Sequence, residues 1–174
     1  MRTLYEKVET TAPRSHAWEV LKDFGGVAKW APGMRSSRLE GPQSSGVGTH
    51  RVMRHAWGFR IHETITEWNE GTGYSFVLTR APFPMHEVTE VWVLEPENNH
   101  AVITTAVSYR MKLGIIGALL DAVLVRFLVA REMRAGLIGF KNYVEQHLPD
   151  TPAKPSPPLA EPAAEKAVSG WGPR

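Results

Sequence analysis

Between Ser36 and Lys112 the chain alternates short β-type runs with turns rich in Gly, Pro and Asn, and no other feature constrains the fold as tightly. The runs are Ser36–Glu40, Thr49–Ala56, Phe59–Trp68, Tyr74–Ala81, Met85–Glu95 and Ala101–Lys112, and the turns contain Gly41-Pro42, Trp57-Gly58, Glu70-Gly71-Thr72-Gly73, Pro82-Phe83-Pro84 and Glu97-Asn98-Asn99. Parallel neighbours need a crossover of a dozen or more residues. None of these connections is that long, so an antiparallel meander is expected. Ahead of it, Thr3–Thr10 alternates as a strand, and Pro13 stands where a helix can begin. Ala17, Trp18, Leu21 and Phe24 give Ser15–Phe24 a helical period, which Gly25-Gly26 ends. A second short helix over Val27–Trp30 stops at Pro32.

The last regular element runs from Ile115 to Leu148 and reads as one long helix. On a wheel of 100° per residue, Ile116, Leu119, Leu120, Val123, Phe127, Ala130, Leu137, Ile138 and Leu148 share one broad face. The stretch Ile115–Ala130 is apolar enough to raise the question of a membrane span, but Asp121 and Arg126 interrupt it. Each would cost about 2.5–3.5 kcal/mol near the centre of a bilayer helix, so a buried core helix is expected and no integral membrane segment. A curved sheet with one apolar face needs a cover, and this helix is long enough to supply it. The fold class expected is therefore α+β, with about seven strands in a strongly bent antiparallel sheet, two short helices after the first strand and one long C-terminal helix. From Pro149 to Arg174 the period vanishes and Pro, Ala, Glu and Ser dominate. Such a segment buries too little apolar area to offset its ordering entropy, so the domain is expected over residues 1–148 with a disordered tail over 149–174.

Composition narrows the function classes. Hydrophobic residues make up 43% and charged residues 22% of the 174 residues, an ordinary globular balance. The net charge is only +2, and no cationic run interleaved with aromatics is present, so nucleic acid is not an expected partner. Cysteine is absent, which excludes disulfides, thiolate metal sites and a cysteine nucleophile. The first seven residues lack an apolar signal region, and a cytoplasmic location is expected. His55 and His62 come near each other across the Trp57-Gly58 hairpin, but no third ligand has suitable spacing. No phosphate loop, nucleophile elbow or dinucleotide fingerprint is present. Neither metal nor cofactor is expected, and oligomeric state is not legible.

Several local signatures then point to a family. The segment from Val8 to Met34 runs from a strand through Pro13 to a helix with Trp18, then Asp23-Phe24 and Trp30-Ala31-Pro32. Gly46, Gly48 and Arg51 follow in a Gly-x-Gly-x-x-Arg pattern, with Glu63 and Ile65 in Glu-x-Ile, and Leu137–Leu148 closes the set. In this order the motifs resemble the START/Bet v 1-like (SRPBCC) superfamily, in its polyketide cyclase/dehydrase-like branch. The resemblance implies a helix-grip fold with a cavity between sheet and long helix that takes a small hydrophobic ligand. Fold alone does not settle function. A polyketide cyclase/dehydrase-type protein, a non-catalytic carrier or sensor for a lipid, quinone or isoprenoid, and an accessory subunit all stay open.

Strand phase selects the polar candidates. Phe59, Ile61, Glu63, Ile65 and Glu67 share one phase, so Glu63 faces inward if its apolar companions do. The neighbouring run carries Thr49, Arg51, Met53 and His55 in one phase, which puts Arg51 within about one residue of opposite Glu63. A carboxylate withdrawn from water needs such a partner. Val88, Glu90, Trp92 and Leu94 share a face with His86, whose ordinary pKa suits acid/base work. Glu63 and His86 are thus the candidate catalytic residues. Arg51, Trp68, Phe76, Glu90, Trp92, Tyr109, Phe127 and Arg134 are the candidate ligand-binding residues. Structural readings stand beside these: an ion pair fixing strand register, rings filling a core, a solvated histidine at a loop edge, and Arg134 turned outward by helix curvature.

Overall fold

Seven strands form one antiparallel sheet in a computed structural model that describes residues 1–80, 84–98 and 100–149. The strands are β1 (Arg2–Thr10), β2 (Met34–Glu40), β3 (His50–His55), β4 (Arg60–Asn69), β5 (Gly73–Arg80), β6 (Met85–Glu97) and β7 (His100–Met111). Their order is β1-β7-β6-β5-β4-β3-β2. The short turns have the expected consequence that β2 to β7 meander; β1, whose partner the turns do not fix, closes onto β7. Register shifts interrupt the β2–β3, β4–β5 and β6–β7 ladders, and each such bulge bends its strand. Part of the Pro82-Phe83-Pro84 turn and the tail beyond 149 lie outside the described residues.

Helix α1 (Arg14–Leu21) and a 3₁₀ helix (Phe24–Lys29) follow β1 as expected. After β7, α2 (Gly114–Leu120) leads through a π-helical turn (Asp121–Val125) into α3 (Arg126–Gln146). The long C-terminal helix is therefore continuous but not uniformly α-helical. Together the bent sheet and this helix make the helix-grip α+β fold.

The apolar core lies between sheet and α3. Trp30, Trp92 and Phe140 meet edge to face with centroids 5.1–5.5 Å apart, joining the end of the 3₁₀ helix, β6 and α3. Met133, Leu137, Phe140 and Val144 are the buried residues of α3. Complete burial of side chains such as Leu137, Phe140 and Val144 contributes about 1.5–3 kcal/mol each. Glu145 ties α3 to β1 by accepting from the Thr10 hydroxyl (3.0 Å) and the Thr11 N–H (2.8 Å). Desolvation opposes its ionisation, but these bonds and Lys141 prevail and hold its carboxyl at about 2.

Here the uniform wheel fails. Of the face it selects, Leu137 is buried, whereas Ile116, Leu119, Val123 and Phe127 are 58–68% exposed. Two physical causes combine. The buried stripe of α3 runs through Met133, Leu137, Phe140 and Val144, which is offset from the face chosen on the wheel. The π turn also takes more residues per turn than 3.6, so phase slips there and most of the apolar side chains upstream rotate away from the sheet. The expected buried core helix over Ile115–Ala130 is corrected accordingly: its apolar side chains are mostly outside. No helix among the described residues is long and apolar enough to cross a membrane.

Candidate functional site

A cavity of about 500 Å³ separates the middle of the sheet from α3. Its walls are rings and aliphatic chains, among them Trp30, Phe59, Phe76, Trp92, Leu128 and Met133. Four polar residues reach it from the sheet: Arg51 and His55 on β3, Glu63 on β4 and Glu90 on β6. Their placement follows from period-two alternation. Thr49, Arg51, Met53 and His55 are all buried on one phase, and Ile61, Glu63 and Ile65 on the facing one.

Arg51 and Glu63 are direct cross-strand partners. Arg51 Nε and Nη2 reach Glu63 Oε2 at 2.6 and 2.5 Å, and Nη1 donates to the Phe24 carbonyl at 2.6 Å. The guanidinium carbon lies 3.8 Å above the centroid of the Phe24 ring. Each side chain is almost wholly removed from water, and three of the five Arg51 N–H groups are engaged by these contacts. Burial raises the pKa of Glu63 above the ordinary carboxylate value, and the charge of Arg51 works against that rise.

Glu90 is placed differently. It accepts from the Trp92 indole N–H at 2.6 Å and more distantly from the Thr105 hydroxyl, at 3.4 Å, and no cation pairs with it among the described residues. It stays partly accessible, and it lines the cavity. Desolvation first, and then the nearby Glu63 charge, push its carboxyl up to about 7, against the opposing bond from Trp92. One strand, β5, stands between the two acids: Glu63 pairs with Leu78 and Glu90 with Phe76. Both of those β5 residues also line the cavity.

Of the sequence-selected residues, the structure brings Arg51, Glu63, Phe76, Glu90 and Trp92 together around one space. It separates the other five from it. Trp68 donates its indole N–H to Glu70 at 2.8 Å and stacks on Tyr74 behind the wall. Tyr109 is fully buried and donates to Asp121 at 2.5 Å, and Asp121 also pairs with Arg2. Phe127 is 58% exposed under the Arg126 guanidinium. Arg134 sits one residue past the buried stripe and points outward, 3.7 Å from Glu6. His86 leaves the phase of Val88, Glu90 and Trp92 because β6 bulges between His86 and Thr89, where Glu87 takes φ +49°. Met85, rather than His86, reaches the cavity.

Among the cavity residues that sequence reasoning did not select are His55, Tyr74 and Glu132. His55 was legible from its phase with Arg51 and Met53; it stacks on Phe59 at 4.6 Å, and its Nδ1 accepts the Trp57 N–H at 3.2 Å. Tyr74 and Glu132 gave no such signal; Glu132, on α3, sets its carboxylate 3.9 Å from His55 Nε2. Trp30 Nε1 is buried with no hydrogen-bond partner among the described residues. On the β2–β3–β4 side of the sheet, Glu40, His50 and His62 bring one ligand atom each within 4.8 Å of the others. The histidine pair there is His50 with His62, at 5.6 Å between centroids, and not His55 with His62. Arg80 and Arg60 both bear on that cluster electrostatically, and none of its members lines the cavity.

Solved structures share this architecture. The crystal structure of Ara h 8.0201 is 15% identical, with a TM-score of 0.66 over 84% of this chain and 99% of that one. A solution structure from Thermobifida fusca is 21% identical, with a TM-score of 0.67 over 84% and 95%. A crystal structure from Thermus thermophilus is 20% identical, with a TM-score of 0.68 over 82% and 97%. At such identities the likeness establishes the fold, which is Bet v 1-like. No curated protein matches the chain by sequence. The family model described as polyketide cyclase / dehydrase and lipid transport matches residues 1–145, and the chain belongs to that family.

Proposed function

We propose that the cavity holds one largely apolar small molecule whose polar group meets the Glu90 carboxyl. The observation that carries this reading is the pairing of an apolar space of about 500 Å³ with a partly accessible acid, Glu90, that has no cationic partner in the sheet wall among the described residues. Protein interiors are close-packed, and voids larger than a water molecule are few. A space of this size falls in the range of sites for small ligands. Family membership and fold support the same conclusion. Arg51 and Glu63 engage each other and Glu132 on α3 stands 3.9 Å from His55, so Glu90 is the sheet acid left to orient a ligand carbonyl or hydroxyl.

A second reading rests on the acidity of Glu90. A carboxyl held at about 7 is divided between its acid and base forms at neutral pH, the condition under which proton transfer is most efficient. Glu90 would then take an α-proton from a ligand carbonyl and return a proton to a departing hydroxyl, the steps of cyclase and dehydrase chemistry. A non-catalytic carrier needs only the cavity.

An environment-sensitive apolar dye binds the native protein saturably at about one per chain, and a long-chain ketone or alcohol displaces it. Glu90→Gln lowers affinity for the ketone about tenfold, equivalent to about 1.4 kcal/mol, while leaving an alkane of equal length unaffected. Absence of saturable binding overturns ligand holding. Equal loss for ketone and alkane overturns the role of Glu90.

A further inference from the structure

The outer side of α2, the π turn and the first turn of α3 lacks any cover among the described residues. Ile115 is 89% exposed, and Ile116, Leu119, Val123, Leu124 and Phe127 are 51–68% exposed. Among the described residues, eight of the fourteen exposed large apolar side chains fall between residues 113 and 127, so this is one patch and not the usual single scatter. Ile116, Leu119, Val123 and Phe127 recur at helical spacing and form a stripe along the segment.

On the exposed face the charge beside the stripe is cationic; Glu132, the next acid along the helix, lines the cavity instead and stands 3.9 Å from His55. Between positions 112 and 131 the charged residues are Lys112, Asp121, Arg126 and Arg131. Asp121 is buried beneath the helix and already engaged by Tyr109 and Arg2, so it does not offset the cations. Lys112 stands before the stripe, Arg131 is exposed one turn after Phe127, and the Arg126 guanidinium lies 4.6 Å over the Phe127 ring. An apolar helical face bordered by Lys and Arg suits the boundary between acyl chains and anionic headgroups. A second copy of the chain fits less well. Self-pairing across a two-fold axis with antiparallel helices would set Lys112 of one copy near Arg131 of the other, at both ends.

We propose that the segment 114–127 docks on a lipid bilayer bearing anionic headgroups. Ile116, Leu119, Val123 and Phe127 enter the acyl boundary, and Lys112, Arg126 and Arg131 meet phosphate oxygens. Val125, Leu128 and Val129, on neighbouring positions of the same helix, line the cavity, so docking brings the cavity wall to the lipid. The docking surface does not depend on what the cavity holds.

Co-sedimentation of the full chain, without added ligand, with vesicles of phosphatidylcholine alone or mixed with phosphatidylglycerol tests the proposal. Partition onto the mixed vesicles is at least about tenfold stronger than onto phosphatidylcholine and weakens with salt. The pair Ile116→Asp and Val123→Asp, both at exposed positions, lowers it at least about tenfold with melting temperature and dye binding in the cavity unchanged. Lys112→Gln with Arg131→Gln removes the preference for phosphatidylglycerol. Absence of wild-type partition onto either vesicle overturns the proposal. So does a dimer in analytical ultracentrifugation that the two Asp substitutions dissolve, which would make the face a contact between copies. Intact dye binding alongside lost partition, or the reverse, separates failure of this inference from failure of the cavity reading.

Discussion

Glu63 and Glu90 face the same space from neighbouring parts of one sheet, yet their partners set them apart. Glu90 has an indole N–H and a distant hydroxyl where Glu63 has a guanidinium. Its folded pKa of about 7 lies above the ordinary 4.5, so the folded state binds its proton more tightly than the unfolded state does. Stability from that proton is complete below about pH 4.5 and is lost as pH rises through 7, by about 3 kcal/mol in all. Glu90→Gln is therefore expected to flatten the pH dependence of urea unfolding between pH 5 and 8 and to raise stability at pH 8; an unchanged slope would place the acid in water. For the buried pair the expectation is opposite. Glu63→Gln strands the Arg51 charge and costs about 3–5 kcal/mol, and replacing both by apolar residues of similar volume recovers much of it. A double variant as unstable as the single one would show that Arg51 is held mainly by Phe24. The pair was legible because a tight turn and period-two alternation set register, and Arg51 does stand opposite Glu63. His86 was misplaced because one bulge reverses phase, and nothing in the residues from Met85 to Thr89 announces it.

Elements differ in how far their neighbours can be read from a local pattern. The antiparallel meander and the two short helices were legible because turn residues punctuate them and their periods are short, whereas the pairing of β1 with β7 was not, because no short turn joins them. The C-terminal helix was legible as a helix but not in its orientation. A wheel carries any phase error along its whole length, and the π turn at Asp121–Val125 introduces one that composition does not mark. Once the observed stripe is known, the glycines of α3 become informative. A Cβ on Gly139 would lie 2.1 Å from the Trp30 carbonyl and 2.8 Å from Pro32 Cδ, so α3 rests on the backbone that follows the 3₁₀ helix. Gly139→Ala is expected to cost about 1–3 kcal/mol by forcing α3 off this support, despite its better helix propensity. Denaturant midpoints report it, and a neutral or stabilising result would mean that α3 can slide without loss.

At the scale of the whole molecule, a bent sheet gripping one helix leaves more room than its side chains fill. The core closes where Trp30, Trp92 and Phe140 meet, and the cavity lies beside that cluster, against α3 and the opposing strands. Unfilled space weakens a fold because its lining atoms lack contacts. A domain that keeps about 500 Å³ open therefore retains a deficit that an occupant relieves, and an occupant that binds only the folded state raises its stability by mass action. Gly136 provides the means to separate holding a ligand from merely folding. It lines the cavity, and a Cβ there would meet nothing within 4 Å. Gly136→Leu places an aliphatic chain in the open space and removes a glycine from a helix interior, worth about 0.8–1 kcal/mol by propensity alone. With apolar burial added, the variant is expected to be more stable than the wild type by about 1–3 kcal/mol in the absence of ligand. Its dye affinity should fall at least about tenfold, and ligand should no longer raise its melting temperature. Greater stability with unimpaired binding would put the ligand elsewhere; lower stability would mean that the sheet and α3 close over this space in solution.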